Sequence, residues 1–414
     1  MALQLYSGAV MGCRKIATSL QIFLSYFRLS SPHHTTVRQW IHRNGCHQVQ
    51  KPVEKSVDWI VIADETVDVG AVKCLAVIGI RFGSLQYRED WVLSHGDVTL
   101  LGLYPNEKIT GEYVSVIFSE IKEKVGEIDT FVIDEGSDLK KGARLYKESH
   151  PKVKVIHDIK HKMALVMKRH LEADSHWSSY ASALAQTRKL LYQTDLAALK
   201  PPTQRAKARY MDIEDLIEWP LRILEAKRYG YLDVIPRDRY QKYFDWIENY
   251  TPSLKRWSLM VGVVKVICHK VRTHGLPEGM YEHLLNYFLE TSLDSSIDRF
   301  IGECLEKVVE EADKLKPGET MICSTEVLES IFGKHKQINV GKQGITGNIL
   351  GLGSFVGNKQ NEDSVKEAME NCPVKSACHW IKQKVGETTN MIRRKLLPTK
   401  GTKFDKNLES ASVA

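Results

Sequence analysis

No apolar run in this 414-residue chain is long enough to span a bilayer, which sets aside the transmembrane classes. The start, Met1 to Phe27, is mildly apolar, but Arg14, Lys15 and Gln21 interrupt it. It has neither a clean hydrophobic stretch nor a cleavage site, so no secretory signal is expected. Cysteine is sparse: eight residues, at 13, 46, 74, 268, 304, 323, 372 and 378. Scattered this widely they form no disulfide framework, and a reducing cytosol is the expected setting. Cys372 and Cys378-His379 lack zinc-site spacing and have no matching second pair. The glycine-rich stretch Gly341 to Gly357 lacks the Gly-Lys-Ser/Thr step of a phosphate loop, so close helix packing or a flexible joint explains it better. There is no internal repeat.

What remains is an ordinary globular composition, 43% apolar and 26% charged, long enough for two or three domains. The net charge of +7 fits a polyanionic partner without requiring one. Basic residues gather at Lys140-Lys141, Lys160 to His170, Gln204 to Arg209 and Arg393-Arg394-Lys395. Each alone is an ordinary solvated face; together with an acidic site they favour nucleic acid.

Along the chain, apolar spacing predicts a helix over Lys15–Phe27 and a second over His33–His42. Ser31 is the expected N-cap, Pro32 the first helical residue, and Asn44-Gly45 the stop. Helix, short turn, helix is the layout of a helix-turn-helix DNA reader. Thr35, Thr36, Arg38, Gln39 and Arg43 would face outward, with Val37, Trp40 and Ile41 packed inward. A plain helical hairpin satisfies the same pattern.

Strands are predicted at Val57–Ala63, Lys73–Phe82 and Trp91–Leu93. A helix over Glu112–Val125, a strand over Asp129–Ile133, a helix over Leu139–His150, a strand over Val153–Ile156 and a helix over Lys160–Leu171 come next. A three-strand meander followed by helix-strand-helix-strand-helix is the order of an RNase H-like α/β core with a mixed sheet. From about 172 to 320 the strand signals stop and six long helical patterns replace them. The core pattern then returns in Ser324–Lys336, so a large all-α insertion interrupts the core. The expected division is a helical N-terminal DNA-binding segment (1–50), the catalytic core's first part (55–171), the α-helical insertion (172–320), the core's last part (321–386) and a basic, partly disordered tail (387–414).

Three acids carry the chemistry. Asp64 ends the run Trp59-Ile60-Val61-Ile62-Ala63, and Asp134 ends Phe131-Val132-Ile133. Glu326 and Glu329 lie in Ser324-Thr325-Glu326-Val327-Leu328-Glu329-Ser330-Ile331-Phe332-Gly333-Lys334. Two aspartates on strand ends plus a helical glutamate suit a two-metal phosphoryl-transfer site, where paired ions stabilise the attacking and leaving oxygens. Magnesium accepts a few hard carboxylates and keeps its waters. Glu326, Glu329, Gly333 and Lys336 fall near one helical face, and Lys336 could touch the phosphate beside the scissile bond. Glu329 is preferred to Glu326, which stays open. Acids after strands are also common as surface or capping residues.

At these residues the chain resembles a DDE transposase of a bacterial insertion-sequence family. The matching segments are Ile-Val-Ile-Ala-Asp64-Glu-Thr, Val-Ile-Asp134-Glu-Gly-Ser-Asp-Leu-Lys-Lys-Gly, Ile-His157-Asp158-Ile-Lys-His161-Lys and Ser-Thr-Glu326-Val-Leu-Glu329-Ser-Ile-Phe-Gly-Lys. Asp158-Ile-Lys-His161 is similar to a signature of transposases with helical insertions, the hAT group and relatives of the V(D)J recombinase. The resemblance covers roughly residues 55–340. It implies Mg2+-dependent cleavage at transposon ends, with Mn2+ able to substitute, and strand transfer of the 3′-hydroxyl into target DNA. It implies two ions held by Asp64, Asp134 and Glu329, with His161 auxiliary near the scissile phosphate. Trp219, Trp246 or Trp257 could stack on a flipped base, though a tryptophan in a helical block is more often core. The implied partners are transposon-end and target double-stranded DNA and a homodimer or higher oligomer, without a membrane, in the nucleoid-associated cytoplasm. The departure is at the start, which is short for a full end-recognition domain. The rival functions are a nuclease or resolvase of the same fold and a domesticated, non-catalytic DNA-binding protein.

Overall fold

The fold was obtained as a computed structural model. It describes residues 1–67, 71–86, 88–203, 210, 213–291, 294–338, 344–357 and 361–397. The basic cluster at 204–209, Asp68, the first three residues of the glycine-rich stretch (341–343) and the tail beyond 397 lie outside the described residues. The chain divides into two compact units, Met1–Val155 with Thr325–Ala414, and Ile156–Ser324.

The first unit is built on a mixed sheet of five strands in the order β3-β2-β1-β4-β5. These are β1 (Ser56–Val67), β2 (Lys73–Arg81), β3 (Thr99–Asn106), β4 (Gly126–Ile133) and β5 (Lys154–His157), within which the chain passes into the second unit. β1 runs antiparallel to β2 and parallel to β4. The arrangement is compatible with an RNase H-like core.

Sheet and helices explain each other through side-chain alternation. Trp59, Val61 and Ala63 of β1, Leu75 and Val77 of β2, and Phe131 and Ile133 of β4 share one buried cluster with two helices. Those helices are α4 (Gly111–Val125) and α5 (Ser137–Ser149). α4 starts where the Thr110 side chain accepts the Tyr113 N–H, and it buries Val114, Ile117, Phe118, Ile121 and Val125 at helical spacing. The rings of Phe118 and Phe131 stack with centroids 4.1 Å apart at its centre.

The third strand differs from expectation. Trp91–Leu93 is not a strand; β3 is Thr99–Asn106. Arg88 holds the earlier segment as a loop, donating to the Val92 carbonyl at 2.7 Å and pairing with Asp97 at 2.7 Å. The real strand was hidden by Gly102 and Pro105, which depress strand propensity but are tolerated on an edge such as β3.

The N-terminal helices are α1 (Ala2–Ser7), α2 (Cys13–Ser25) and α3 (His34–Gln50). Here the helix-turn-helix expectation needs correction. α2 and α3 are joined by residues 26–33, longer than the three- or four-residue turn of that motif. His33, rather than Ser31, caps α3, accepting from the Thr35 N–H. α3 does not stop at Asn44-Gly45 but runs on to Gln50, with Asn44 to His47 buried. Gly45 is there for close approach: a Cβ at this position would lie 1.8 Å from the Leu350 carbonyl oxygen. The partner is the 3-10 segment Gly347–Ser354, whose Ser354 hydroxyl accepts from Asn44 at 3.0 Å.

Among its described residues the second unit is helical apart from the end of β5 and a two-residue ladder, β6 (Leu276–Pro277) with β7 (Thr320–Met321). Its helices are α6 (Ile159–Ala173), α7 (Trp177–Leu191), α8 (Glu214–Arg228), α9 (Arg237–Phe244), α10 (Thr251–His274), α11 (Met280–Glu290) and α12 (Asp298–Ala312). Trp177, Tyr180 and Trp257 form its aromatic centre. No helix among the described residues is long and apolar enough to cross a membrane.

Candidate active site

The parallel register between β1 and β4 pairs Ala63 with Ile133. The next residue on each strand is therefore Asp64 and Asp134, side by side where β4 ends; β1 continues to Val67 against β2 alone. Ala63 and Ile133 point into the α4–α5 cluster, so alternation turns both aspartates to the other face. The carboxyl ends of adjacent parallel strands are where open α/β sheets place ligands.

Backbone amides orient both carboxylates. Asp64 Oδ1 accepts the Glu65 N–H at 2.7 Å, and Asp134 Oδ1 accepts the Gly136 N–H at 2.8 Å. A Cβ on Gly136 would itself lie 2.8 Å from that Asp134 oxygen, so glycine is needed for the carboxylate to sit there. Burial raises the Glu65 carboxyl above its ordinary value, and the charges of Asp138 and Asp134 raise it further against the opposing Lys73. Negative charge is thus concentrated at this end of the sheet.

The third acid comes from α13 (Glu326–Ile338), which packs on β1. Its buried Val327, Leu328, Ile331 and Phe332 take no part in the α4–α5 cluster, which puts the helix on the face carrying Asp64. Glu326 and Glu329 both lie in its first turn, half-buried. That position also suits a carboxylate toward the helix dipole. Among the described residues, however, no three His, Cys, Asp or Glu side chains converge closely enough to hold one metal ion. The expected ligand set Asp64, Asp134 and Glu329 is therefore only partly assembled: the aspartates are neighbours, and neither glutamate completes a triad. Two oriented carboxylates remain a reasonable donor pair for magnesium, which keeps several waters.

His95 was missed by sequence reasoning, and no local pattern marks it. It anchors α13: Nε2 lies 3.0 Å from the Ser330 hydroxyl, and Lys334 Nζ lies 3.4 Å from Nδ1. Burial, then the Lys334 charge, holds its imidazole below the ordinary value.

Beyond the end of β1 is a basic cleft of about 660 Å3. Arg14 and Lys15 from α2, Arg38 and His42 from α3, Thr66 from β1, and His335 and Lys336 from α13 line it. No Asp or Glu does so among the described residues. Arg38 and Lys336, expected from separate arguments, thus line one cavity. Gln39 is exposed on α3 outside it. Arg43 is used differently: it donates to the carbonyls of Cys372 (2.7 Å) and Met369, at the end of α14 (Glu362–Asn371). Its guanidinium stabilises that helix end rather than standing out toward solvent.

In the second unit, Asp158 is the N-cap of α6. Its Oδ1 accepts the His161 N–H at 3.1 Å and lies 3.6 Å from His161 Nδ1. The Asp158-to-His161 spacing is thereby also a capping geometry. Trp257 is 1% exposed, its indole donating to Asp174 at 2.8 Å, and is core. The indoles of Trp219 and Trp246 donate to the carbonyls of Leu199 and Tyr243.

Comparison with protein-family models and with curated proteins gave no match. Among solved structures, the chain is similar to a Drosophila P element transposase strand transfer complex. The likeness spans 95% of this chain and 92% of that one, at 13% identity and a TM-score of 0.34. A likeness this distant assigns no residue a role.

Proposed function

We propose that this chain is a DNA-processing phosphotransferase of the DDE transposase kind, cutting DNA at transposon ends and joining the 3′-hydroxyl to target DNA. The observation that carries this is the pairing of Asp64 with Asp134 on adjacent parallel strand ends, on the face where α13 packs. The carboxylate-free basic cleft at the end of the same strand adds to it.

Asp64, Asp134 and one of Glu326 or Glu329 would hold Mg2+, or Mn2+ in its place. When bound, such ions stabilise charge on the attacking and leaving oxygens of an in-line displacement. The chain's own residues do the rest. The Glu65 and Gly136 amides hold the two aspartates in orientation, so little reorganisation is left for the reaction itself. Arg14, Lys15, Arg38 and Lys336 neutralise backbone phosphates and fix the duplex without reading sequence. The DNA-binding role of the N-terminal helices rests on this cleft rather than on a recognition helix. His161 is proposed as an auxiliary group by resemblance alone, as is assembly of two or more copies on DNA.

One observation favours a second function. Because no third carboxylate completes the ligand set among the described residues, a non-catalytic DNA-binding protein would look the same. A cleavage and strand-transfer assay on the DNA ends flanking the coding region separates the possibilities. With Mg2+, Asp64→Ala and Asp134→Ala should each abolish cleavage while end binding persists. One of Glu326→Ala and Glu329→Ala should do the same, Glu329 being preferred. Cleavage without joining would identify a nuclease. Binding without cleavage by the unaltered chain would identify the non-catalytic alternative.

A further inference from the structure

The second unit carries a groove of about 1130 Å3 between α11 and α12. Its floor is apolar, with Leu285 and Leu289 from one helix and Ile301, Leu305 and Val309 from the other. Leu289 is 68% exposed and shares the groove with the half-buried Leu285, Ile301 and Val309. The rim is acidic: Glu278, Glu282, Asp298, Glu306 and Asp313 surround the floor, and no Lys or Arg among the described residues lines the groove. A groove of this kind suits a basic amphipathic helix.

The chain itself has such a helix. α16 (Thr389–Leu396) follows α15 (Val374–Lys384) in the first unit. Its apolar side chains stand open to solvent: Met391 is 48% exposed, Ile392 43%, Leu396 74% and the following Leu397 67%. Met391, Ile392 and Leu396 fall within one arc of about 140° at ~100° per residue; Lys395 lies in the same arc, and Arg393 and Arg394 lie outside it. Lys395 is engaged by Glu387, so Arg393 and Arg394 are the cations offered outward. Length agrees as well: the eight-residue α16 is ~12 Å long, no longer than the eleven-residue α11 that forms one wall of the groove.

From this charge, polarity and length complementarity we infer that the α11–α12 groove receives α16 of a second copy of this chain. Each copy carries both halves of the contact, so the contact is heterologous, joining the helix of one copy to the groove of another. Apolar burial of Leu289 against Met391 and Ile392 supplies the attraction. The acidic rim facing Arg393 and Arg394 sets the orientation and makes the pairing weaken with salt. The inference does not depend on the proposed chemistry, since none of these residues belongs to the candidate active site.

The test uses the full-length chain without DNA, followed by light scattering or sedimentation across concentration. Two variants are made at exposed positions, Leu289→Asp in the groove and Arg393→Glu/Arg394→Glu on the helix, with circular dichroism confirming intact folding. Each variant alone should weaken pairing by at least about tenfold, equivalent to ~1.4 kcal/mol. Mixing the two should restore pairing in part, because one intact groove and one intact helix meet in every mixed pair. A monomeric unaltered chain at about 100 µM, unimpaired pairing by either variant, or no recovery on mixing would overturn the inference. The last outcome would mean that groove and helix serve other partners, for instance a different basic peptide.

Discussion

Replacing Glu311 by alanine tests how the helical unit holds its two ends together. Glu311 is fully buried on α12. Its Oε1 pairs with Lys162 at 2.7 Å, and its Oε2 pairs with Lys314 at 2.6 Å and accepts the His157 N–H at 2.7 Å. One carboxylate thus joins residues at the start of the unit to residues near its end. Burial pushes its carboxyl upward, but the His157 hydrogen bond and the Lys314 and Lys162 charges outweigh burial and hold it at about 2, against an ordinary 4.5. That gap corresponds to about 3 kcal/mol of linked stability. Because the folded value is the lower one, the contribution is complete above pH 4.5 and is lost as pH falls toward 2. Removing one partner of a buried ion pair costs ~3–5 kcal/mol, and Lys162 keeps Glu310 at 2.9 Å, which favours the lower end. For a unit of this size about 3 kcal/mol lowers Tm by ~6–12 °C. Calorimetry at pH 7 should show that drop for Glu311→Ala in the transition of the helical unit, with a much smaller difference at about pH 2.5. An unchanged Tm at pH 7, or an equal drop at both pH values, would mean that the Glu311 carboxylate does not carry this stability.

Three further outcomes are expected in the first unit. Burial holds His42 at about 4, against a partial gain from Asn348 and with Arg38 adding to the decrease. The unfolded chain therefore takes up this proton first, and stability should decline as pH falls from 6.5 toward 4; His42→Gln should flatten that limb in pH-dependent melts. Gly45→Ala places a methyl group 1.8 Å from the Leu350 carbonyl oxygen and should destabilise the first unit by ~3 kcal/mol or more in denaturant titrations. Substituting both Arg38 and Lys336 by alanine should weaken DNA binding at every sequence tested and reduce the slope of log K against log salt by ~1.8; an unchanged slope would remove the cleft from the DNA interface.

Much of the sheet was legible because its inner strands are runs of apolar, often β-branched residues. Val57–Ala63 and Lys73–Phe82 foresaw β1 and β2, and the helical periods of 112–125 and 139–150 foresaw α4 and α5. The adjacency of Asp64 and Asp134 was legible for the same reason, since both come directly after apolar runs of one parallel pair. What failed was punctuation. Glycine read as a stop at Gly45, where it permits backbone contact 305 residues away in sequence at Leu350. Gly102 and Pro105 concealed an edge strand. The role of Arg43 was invisible because its partners, Met369 and Cys372, are distant in sequence. The basic cleft could not be foreseen as a unit, since α2, α3, β1 and α13 each contribute only part of it.

The proposed chemistry stands or falls on whether Asp64 and Asp134 hold divalent metal. Fe2+ replacing Mg2+, with ascorbate and peroxide, generates hydroxyl radicals that cut the polypeptide beside the bound ion. If the two aspartates are ligands, cuts fall around Asp64 and Asp134 and excess Mg2+ suppresses them, while a third cut between 326 and 329 identifies the glutamate. Absence of cutting at Asp64 and Asp134, or cutting there that Mg2+ leaves unchanged, would contradict metal binding at this pair.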